Sequence, residues 1–206
     1  MKNNKDICIV GAGGHTRTLI NIINLAKIKI RGIYDDNRKT DCIETILGYQ
    51  ILGGVKDIPE GFNLVLAVGN NIHREKLYKD FEDRVLRANL QHASATIEKE
   101  SIIGKSNQIL ANVYINTCVR IGNNNILNTG CIIEHEVNLG SHNHISVGSI
   151  LCGRASIGDR CFIGAGSVVI DKIGICSDVI IGANSTVIDN IAESGTYAGS
   201  PVRKIK

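Results

Sequence analysis

Tryptophan is absent from this chain, aromatic residues make up 4% of it, and proline occurs only twice in 206 residues. A core without large rings suits a narrow interior filled by Ile, Val and small side chains. No apolar run approaches the roughly 20 residues of a membrane span. The N-terminal segment MKNNKDICIVGAGG lacks the apolar stretch and small-residue cleavage site of a secretory signal. Seven cysteines (Cys8, Cys42, Cys118, Cys131, Cys152, Cys161 and Cys176) form an odd set with no CxxC pair. That spacing indicates neither a disulfide framework nor a zinc knuckle, and it suits a reducing cytoplasm. The net charge of +3 is small and its Lys and Arg are scattered, so nucleic acid is not an expected partner.

What the chain does have is a rhythm. Every sixth residue from Ile97 to Val187 is Ile, Leu or Val. Gly104, Gly122, Gly140 and Gly158 each follow one of these residues and stand eighteen apart. Three six-residue faces per eighteen-residue coil describe a triangular prism, a parallel β-helix of hexapeptide repeats. Within each hexad the smaller residue two places earlier (Ala95, Ser101, Val119, Cys131, Ala155, Ser167) also points inward. Core filling therefore accounts for Cys131 and Cys161. Gly and Asn are expected at the corners, where a positive φ is needed.

Residues 1–92 lack the six-residue period and alternate between strand and helix. Strands are expected at 7–10, 31–36 and 63–68, and helices at about 15–27 and 72–83. This is the pattern of a small Rossmann-like parallel sheet. Residues 93–206 then form the prism and a short basic tail with turn chemistry, joined to the first part directly and rigidly.

Two constellations carry chemistry. The first is Gly11-Ala12-Gly13-Gly14-His15-Thr16-Arg17, a glycine-rich turn from strand to helix whose N–H groups can approach a phosphate. Thr16 stands where GxGxxG has its third glycine. Asp35 and Asp36 close the second strand, about where a ribose-binding carboxylate is expected, and Gly69 and Asn70 end the third strand at the same edge. The short first part argues against an NAD-type redox role. The second constellation is Glu134-His135-Glu136 with His142 and His144. His135 falls at a corner, where a neutral imidazole can remove a proton from an amine or hydroxyl, and Glu136 can hold its tautomer. Three histidines invite a metal, but the spacings of seven and two do not match the prism-type carbonic anhydrases, so no metal is expected. Flat ranks of Thr, which a purely binding prism would present, are missing.

The GAGGH turn, the DD pair, the strand ending in GNN and a prism carrying EHE with a histidine nine residues later together resemble the sialic-acid O-acetyltransferase (NeuD/PglD) family of hexapeptide-repeat acyltransferases. The resemblance runs from Ile7 to Arg203. It implies a left-handed coil and acetyl transfer from acetyl-CoA to the 4-amino group of a nucleotide-linked 4-amino-4,6-dideoxy sugar, for bacterial surface polysaccharide or glycan. O-acetylation of a sugar such as sialic acid is the alternative. Carried over residue by residue, His135 would be the general base and Glu136 its supporting carboxylate. His144, Gly153, Ala165 and Ala183 would line the acetyl-CoA path, with Gly153 N–H facing the thioester oxygen. Gly13, Gly14, His15, Asp35, Asp36, Gly69 and Asn70 would bind the nucleotide sugar. The shallow faces of such a prism imply a homotrimer. No cysteine is placed to act as a nucleophile.

Overall fold

A computed structural model describes residues 6–38 and 43–206. Cys42 and the first five residues, which entered the sequence reading, lie outside them. The chain divides into two compact units, Met1–Arg87 and Ala88–Lys206.

In the first unit β1 (Ile7–Val10) is fully buried and runs into the glycine turn, and α1 (Gly14–Leu25) follows. The apolar spacing of α1 buries Leu19, Ile20, Ile22 and Ile23 against the sheet. β2 (Ile30–Tyr34) and β5 (Asn63–Leu66) pair parallel with β1 on either side, and α2 (Asn71–Asp80) comes last. The sequence reading missed the hairpin between these strands. β3 (Thr45–Ile46) and β4 (Tyr49–Gly53) are antiparallel to each other, and β4 extends the sheet parallel to β2. The order is β3-β4-β2-β1-β5. β4 alternates half-buried and exposed residues near the sheet edge, so it offers no apolar run to read.

The second unit is a left-handed parallel β-helix. Its strands are mostly two residues long, and each pairs in parallel with the residues eighteen positions away, as Tyr114–Ile115 does with both Thr96–Ile97 and Ile132–Ile133. One face runs from Thr96–Ile97 to Thr186–Val187, and a second from Ile102–Ile103 to Gly174–Ile175. The third begins with Leu90–Gln91 and includes His144–Ile145 and Phe162–Ile163. The tail differs from the expected turn: Gly195–Gly199 adds a parallel strand to the third face, and Val202–Lys204 returns antiparallel to it.

The repeat residues fill the interior as expected. Ile109, Ile115, Leu127, Ile133, Ile145, Leu151 and Ile163 are each fully buried, a contribution of about 1.5–3 kcal/mol per side chain. Cys131 and Cys161 join them. Burial pushes these thiols up to about 12 and about 11 respectively, so both are neutral and inert at neutral pH. One interior column is polar. The Oδ1 atoms of Asn89, Asn107, Asn125 and Asn143 accept the N–H groups of Asn107, Asn125, Asn143 and Cys161 at 2.6–2.9 Å.

The corners depart from expectation. Every sixth residue from Glu100 to Asn184 has φ between 52° and 67°. Asn and Gly hold some of these places, but so do Cys118, Glu136, His142, Arg154, Arg160 and Lys172. The left-handed conformation costs a non-glycine residue about 1–2 kcal/mol, so stacking between coils must hold it in place.

The glycine column answers to a different constraint. A Cβ on Gly140 would lie 2.7 Å from the carbonyl oxygen of Gly158, whereas one on Gly148 meets nothing within 4 Å. Gly140→Ala should therefore lower unfolding stability by about 1–3 kcal/mol through overpacking. Gly148→Ala, with φ 63°, should cost only about 1 kcal/mol. Denaturant unfolding of the two variants checks this, and equal losses would refute the packing account.

Candidate active site

The two constellations lie in different units, and each has its own geometry. In the first unit a cavity of about 230 Å³ opens at the ends of β1, β2 and β5, with Gly13, Asp35, Asp36, Gly69 and His73 in its lining. An adjoining cavity shares Gly13 and Asp35 and adds Arg17 and Arg38. Gly11 is a glycine for an internal reason, with φ 106° and the Ala67 carbonyl 2.8 Å from where its Cβ would stand. A Cβ on Gly13, Gly14 or Gly69 would meet nothing within 4 Å. Nothing inside the described chain requires those three to be bare. Thr16, in the place of the third glycine, is fully buried and donates its hydroxyl to the Gly11 carbonyl at 2.8 Å. It locks the turn that a glycine would only permit.

Both carboxylates are engaged. Asp35 accepts the Ala12 N–H at 2.6 Å and the Asn37 N–H at 2.8 Å. Asp36 accepts the Val55 N–H at 2.8 Å. The Ala12 N–H, expected to be open to a phosphate, thus already faces an anion, and the acid-lined cavity favours donor-rich groups. Asn70 lies just outside the cavity lining and caps α2, its Oδ1 accepting the His73 N–H at 2.9 Å. His15 is half-buried in the first turn of α1 and is not part of either cavity wall.

In the prism, His135 and Glu136 stand at the corner between the first and second faces. His135 Nδ1 and Glu136 Oε2 are 3.1 Å apart. An ionised carboxylate only accepts, so the proton of the neutral ring sits on Nδ1 and the lone pair on Nε2. Glu136 is the left-handed residue of this corner, φ 61°. The other edge of the imidazole lies over Gly153, one coil on. A Cβ there would stand 2.5 Å from Cε1 and 2.7 Å from Nε2. Gly153 is bare because the ring needs the space.

A column beside this corner escaped the sequence reading. Asn116 Oδ1 accepts the Thr117 N–H at 2.7 Å, and Glu134 Oε2 faces the His135 N–H at 3.4 Å. The next residue in the column is Cys152, which has no such oxygen, and the Gly153 N–H has no protein acceptor among the described residues. The eighteen-residue spacing of Asn116, Glu134 and Cys152 was the available signal. Beyond Gly153, Arg154 grips Asp171 with both ends of its guanidinium at 2.9–3.2 Å. That hydrogen bonding holds the Asp171 carboxyl below its usual range, and the charges of Arg154 and Lys172 add to it.

The histidines adjacent in sequence are separated in space. His142 is a left-handed corner residue whose Nδ1 lies 2.9 Å from Asn124 Nδ2. His144 lies on the third face, half a coil from His135, edge-on to Phe162 at 5.1 Å. The Thr129 N–H fixes Asn128 Oδ1 at 2.8 Å, so Asn128 Nδ2 donates to His144 Nε2 at 3.1 Å. Among the described residues no three His, Cys, Asp or Glu side chains gather as metal ligands. Ala165 and Ala183 stack one coil apart at the corner between the third and first faces, with the Asn184 N–H donating to the Ala165 carbonyl at 2.8 Å.

Residues 6–81 match the PglD N-terminal domain model. No curated protein sequence matches the chain. Among solved structures, the acetyltransferase domain of PglB from Neisseria gonorrhoeae superposes with a TM-score of 0.90 at 25% identity, covering 98% of this chain and 100% of that one. PerB from Caulobacter crescentus, in complex with CoA and GDP-perosamine, does so with a TM-score of 0.90 at 28% identity, covering 98% and 97%. A PglD-type domain thus leads into an uninterrupted prism, and over nearly its whole length the chain is similar to these two proteins, a similarity that supports the NeuD/PglD family of nucleotide-sugar acetyltransferases.

Proposed function

We propose that this enzyme moves an acetyl group from acetyl-CoA to the 4-amino group of a nucleotide-linked 4-amino-4,6-dideoxy sugar, with His135 as general base. The observation that carries the proposal is the imidazole held by Glu136 on one side, with its basic Nε2 edge over bare Gly153 and an unclaimed N–H beside it. PerB, a perosamine N-acetyltransferase whose structure holds CoA and GDP-perosamine, superposes over the full length and supports the substrate class.

The acceptor amine reaches the site as an ammonium and must lose a proton to attack. His135 Nε2 takes it, and Glu136 stabilises the imidazolium that forms. The amine nitrogen bonds to the thioester carbonyl carbon, and the Gly153 N–H donates to the resulting oxyanion. Collapse breaks the carbon–sulfur bond and CoA thiolate leaves; the nitrogen releases its second proton to solvent, and the imidazolium returns the first to the thiolate. No acyl-enzyme is required, and the inert core thiols fit a direct transfer.

The nucleotide would occupy the cavity of the first unit. Gly13, Gly14 and Gly69 leave room for it, Asp35 and Asp36 would accept from base or ribose donors, and Arg17 and Arg38 border the adjoining space suited to a diphosphate. Asn70 would act by capping α2 beside this pocket, and His15 would reach only ligand parts outside the cavity. His144, Ala165 and Ala183 would line the CoA path. Because His135 and His144 lie half a coil apart, one copy cannot bring both to one substrate. The edge of one prism against the third face of the next would, which supports a cyclic homotrimer. Among the described residues no helix is long and apolar enough to cross a membrane, and the reaction is assigned to the cytoplasm.

Release of free CoA should be measured with UDP-, dTDP- and GDP-linked 4-amino-4,6-dideoxyhexoses, with CMP-sialic acid and free sialic acid as comparators. Turnover is expected on one nucleotide-linked amino sugar. Turnover confined to sialic acid would replace N- by O-acetylation. His135→Ala should lower kcat by about 10²–10⁴ with an unchanged circular dichroism spectrum, and near-normal turnover would sink the assignment. Gly153→Ala, whose Cβ displaces the imidazole, should lose at least about tenfold in kcat. Sedimentation should give a trimer; a stable, active monomer would refute the shared site.

A further inference from the structure

Arg74 is the largest side chain that the first unit buries completely. It sits in the first turns of α2. Its Nη1 donates to the carbonyls of Val68 at 3.0 Å and Gly69 at 3.3 Å, and its Nη2 donates to Asn71 Oδ1 at 2.9 Å. Burial pulls its pKa down to about 9, so it remains charged at neutral pH. Enclosing a guanidinium forfeits its hydration, and a hydrocarbon of equal length would pack as well without that cost. A group retained on those terms calls for a reason.

The reason lies in what the guanidinium holds. Val68 and Gly69 form the wall of the acid-lined cavity where β5 gives way to α2. Gly69 and Asn70 are exposed, and Gly69 has open space where a Cβ would be, so this turn is not packed into the core; the Asn70 cap on α2 and the buried Arg74 hold it by hydrogen bonds. A trans peptide points each carbonyl opposite to the following N–H. Pinning the Val68 and Gly69 carbonyls onto Arg74 therefore turns the N–H groups of Gly69 and Asn70 away from it.

We infer that Arg74 is a positioning residue of the nucleotide pocket, fixing the Val68–Asn71 turn so that bare Gly69 and the Asn70 N–H are presented to a bound nucleoside diphosphate. The inference rests on the reading of this cavity as the nucleotide site. Arg74 touches no substrate; it acts through the turn. Its loss should therefore weaken nucleotide binding while the acetyl-CoA site in the other unit is left alone.

The test uses the full chain with Arg74→Met, Arg74→Lys and Asn71→Ala. Binding of UDP, dTDP and GDP is read by calorimetry, KM separately for the nucleotide sugar and acetyl-CoA, and stability by thermal melting. Arg74→Met should weaken the preferred nucleotide and raise the nucleotide-sugar KM by about tenfold, the scale of one lost charged hydrogen bond. The acetyl-CoA KM should hold, and kcat should move less than KM. Arg74→Lys, which keeps the charge and part of the bonding, should recover some of the affinity. Should Arg74→Met not fold, Asn71→Ala carries the test by removing one acceptor of the clamp. Undiminished nucleotide affinity in a folded variant would overturn the role of Arg74 alone. So would an equal loss for both substrates that tracks melting temperature and is not relieved by lysine. An unaltered chain that binds none of the three nucleotides would bring down the pocket assignment and this inference with it.

Discussion

The prism depends on one register: each residue lies over the residue eighteen positions away, and the main chain bonds accordingly. The Thr96 N–H donates to the Val113 carbonyl, Tyr114 to Cys131, Ile132 to Ser149 and Ile150 to Ser167, all within 2.8–3.1 Å. Each bond contributes only about 0.5–1.5 kcal/mol net, but the next coil repeats it, so no coil can shift without breaking those on both sides. A one-residue slip would also turn the buried isoleucines to solvent. Register is therefore set twice, by backbone and by core.

That register turns sequence positions into columns, and the columns explain the site. Thr117, His135, Gly153 and Asp171 form one column, and Asn116, Glu134 and Cys152 run beside it. Within the first, His135 can lie flat only because the residue above it has no side chain. Within the second, an oxygen closes the neighbouring N–H at Asn116 and Glu134 and is lacking at Cys152. The edge proposed as reactive is thus two local omissions in an otherwise satisfied stack, a Cβ at 153 and an acceptor at 152. A buried structural corner has no use for an open donor, whereas a site that must meet a developing oxyanion does.

Legibility in the sequence followed the same division. The isoleucine period revealed the prism, its interior and the corner place of His135, because a face repeated many times leaves a strong signal. The glycine turn and the strands β1, β2 and β5 were also readable from apolar runs stopped by Gly and Asp, though β2 and β5 end at Tyr34 and Leu66, two residues before the expected ends at 36 and 68. The β3–β4 hairpin was not, since β4 is half-exposed and carries no period of its own. Nor were the pairings of Asp35 with Ala12 and Asp36 with Val55, which depend on how loops distant in sequence meet. The spatial separation of the histidines follows from the register: nine residues is half of eighteen, so His135 and His144 are near in sequence and on different sides of the coil.

Corners are where a prism can afford reactive side chains, and the register is why. In isolation a left-handed residue favours glycine or asparagine by about 1–2 kcal/mol, which would leave corners chemically blank. Here the corner N–H is held from the coil before, as Glu136 N–H donates to Thr117 O at 3.1 Å and Arg154 N–H to His135 O at 2.9 Å. Bonds of that kind recur at Lys172 and Asp178, and together with the buried core they outweigh the local strain. Glu136, Arg154 and Lys172 can then occupy left-handed positions with long charged side chains projecting from one edge. The faces are too flat to enclose a substrate, and the interior is filled. Chemistry on this fold is confined to its edges, where the coil's own hydrogen bonds hold a strained backbone in place.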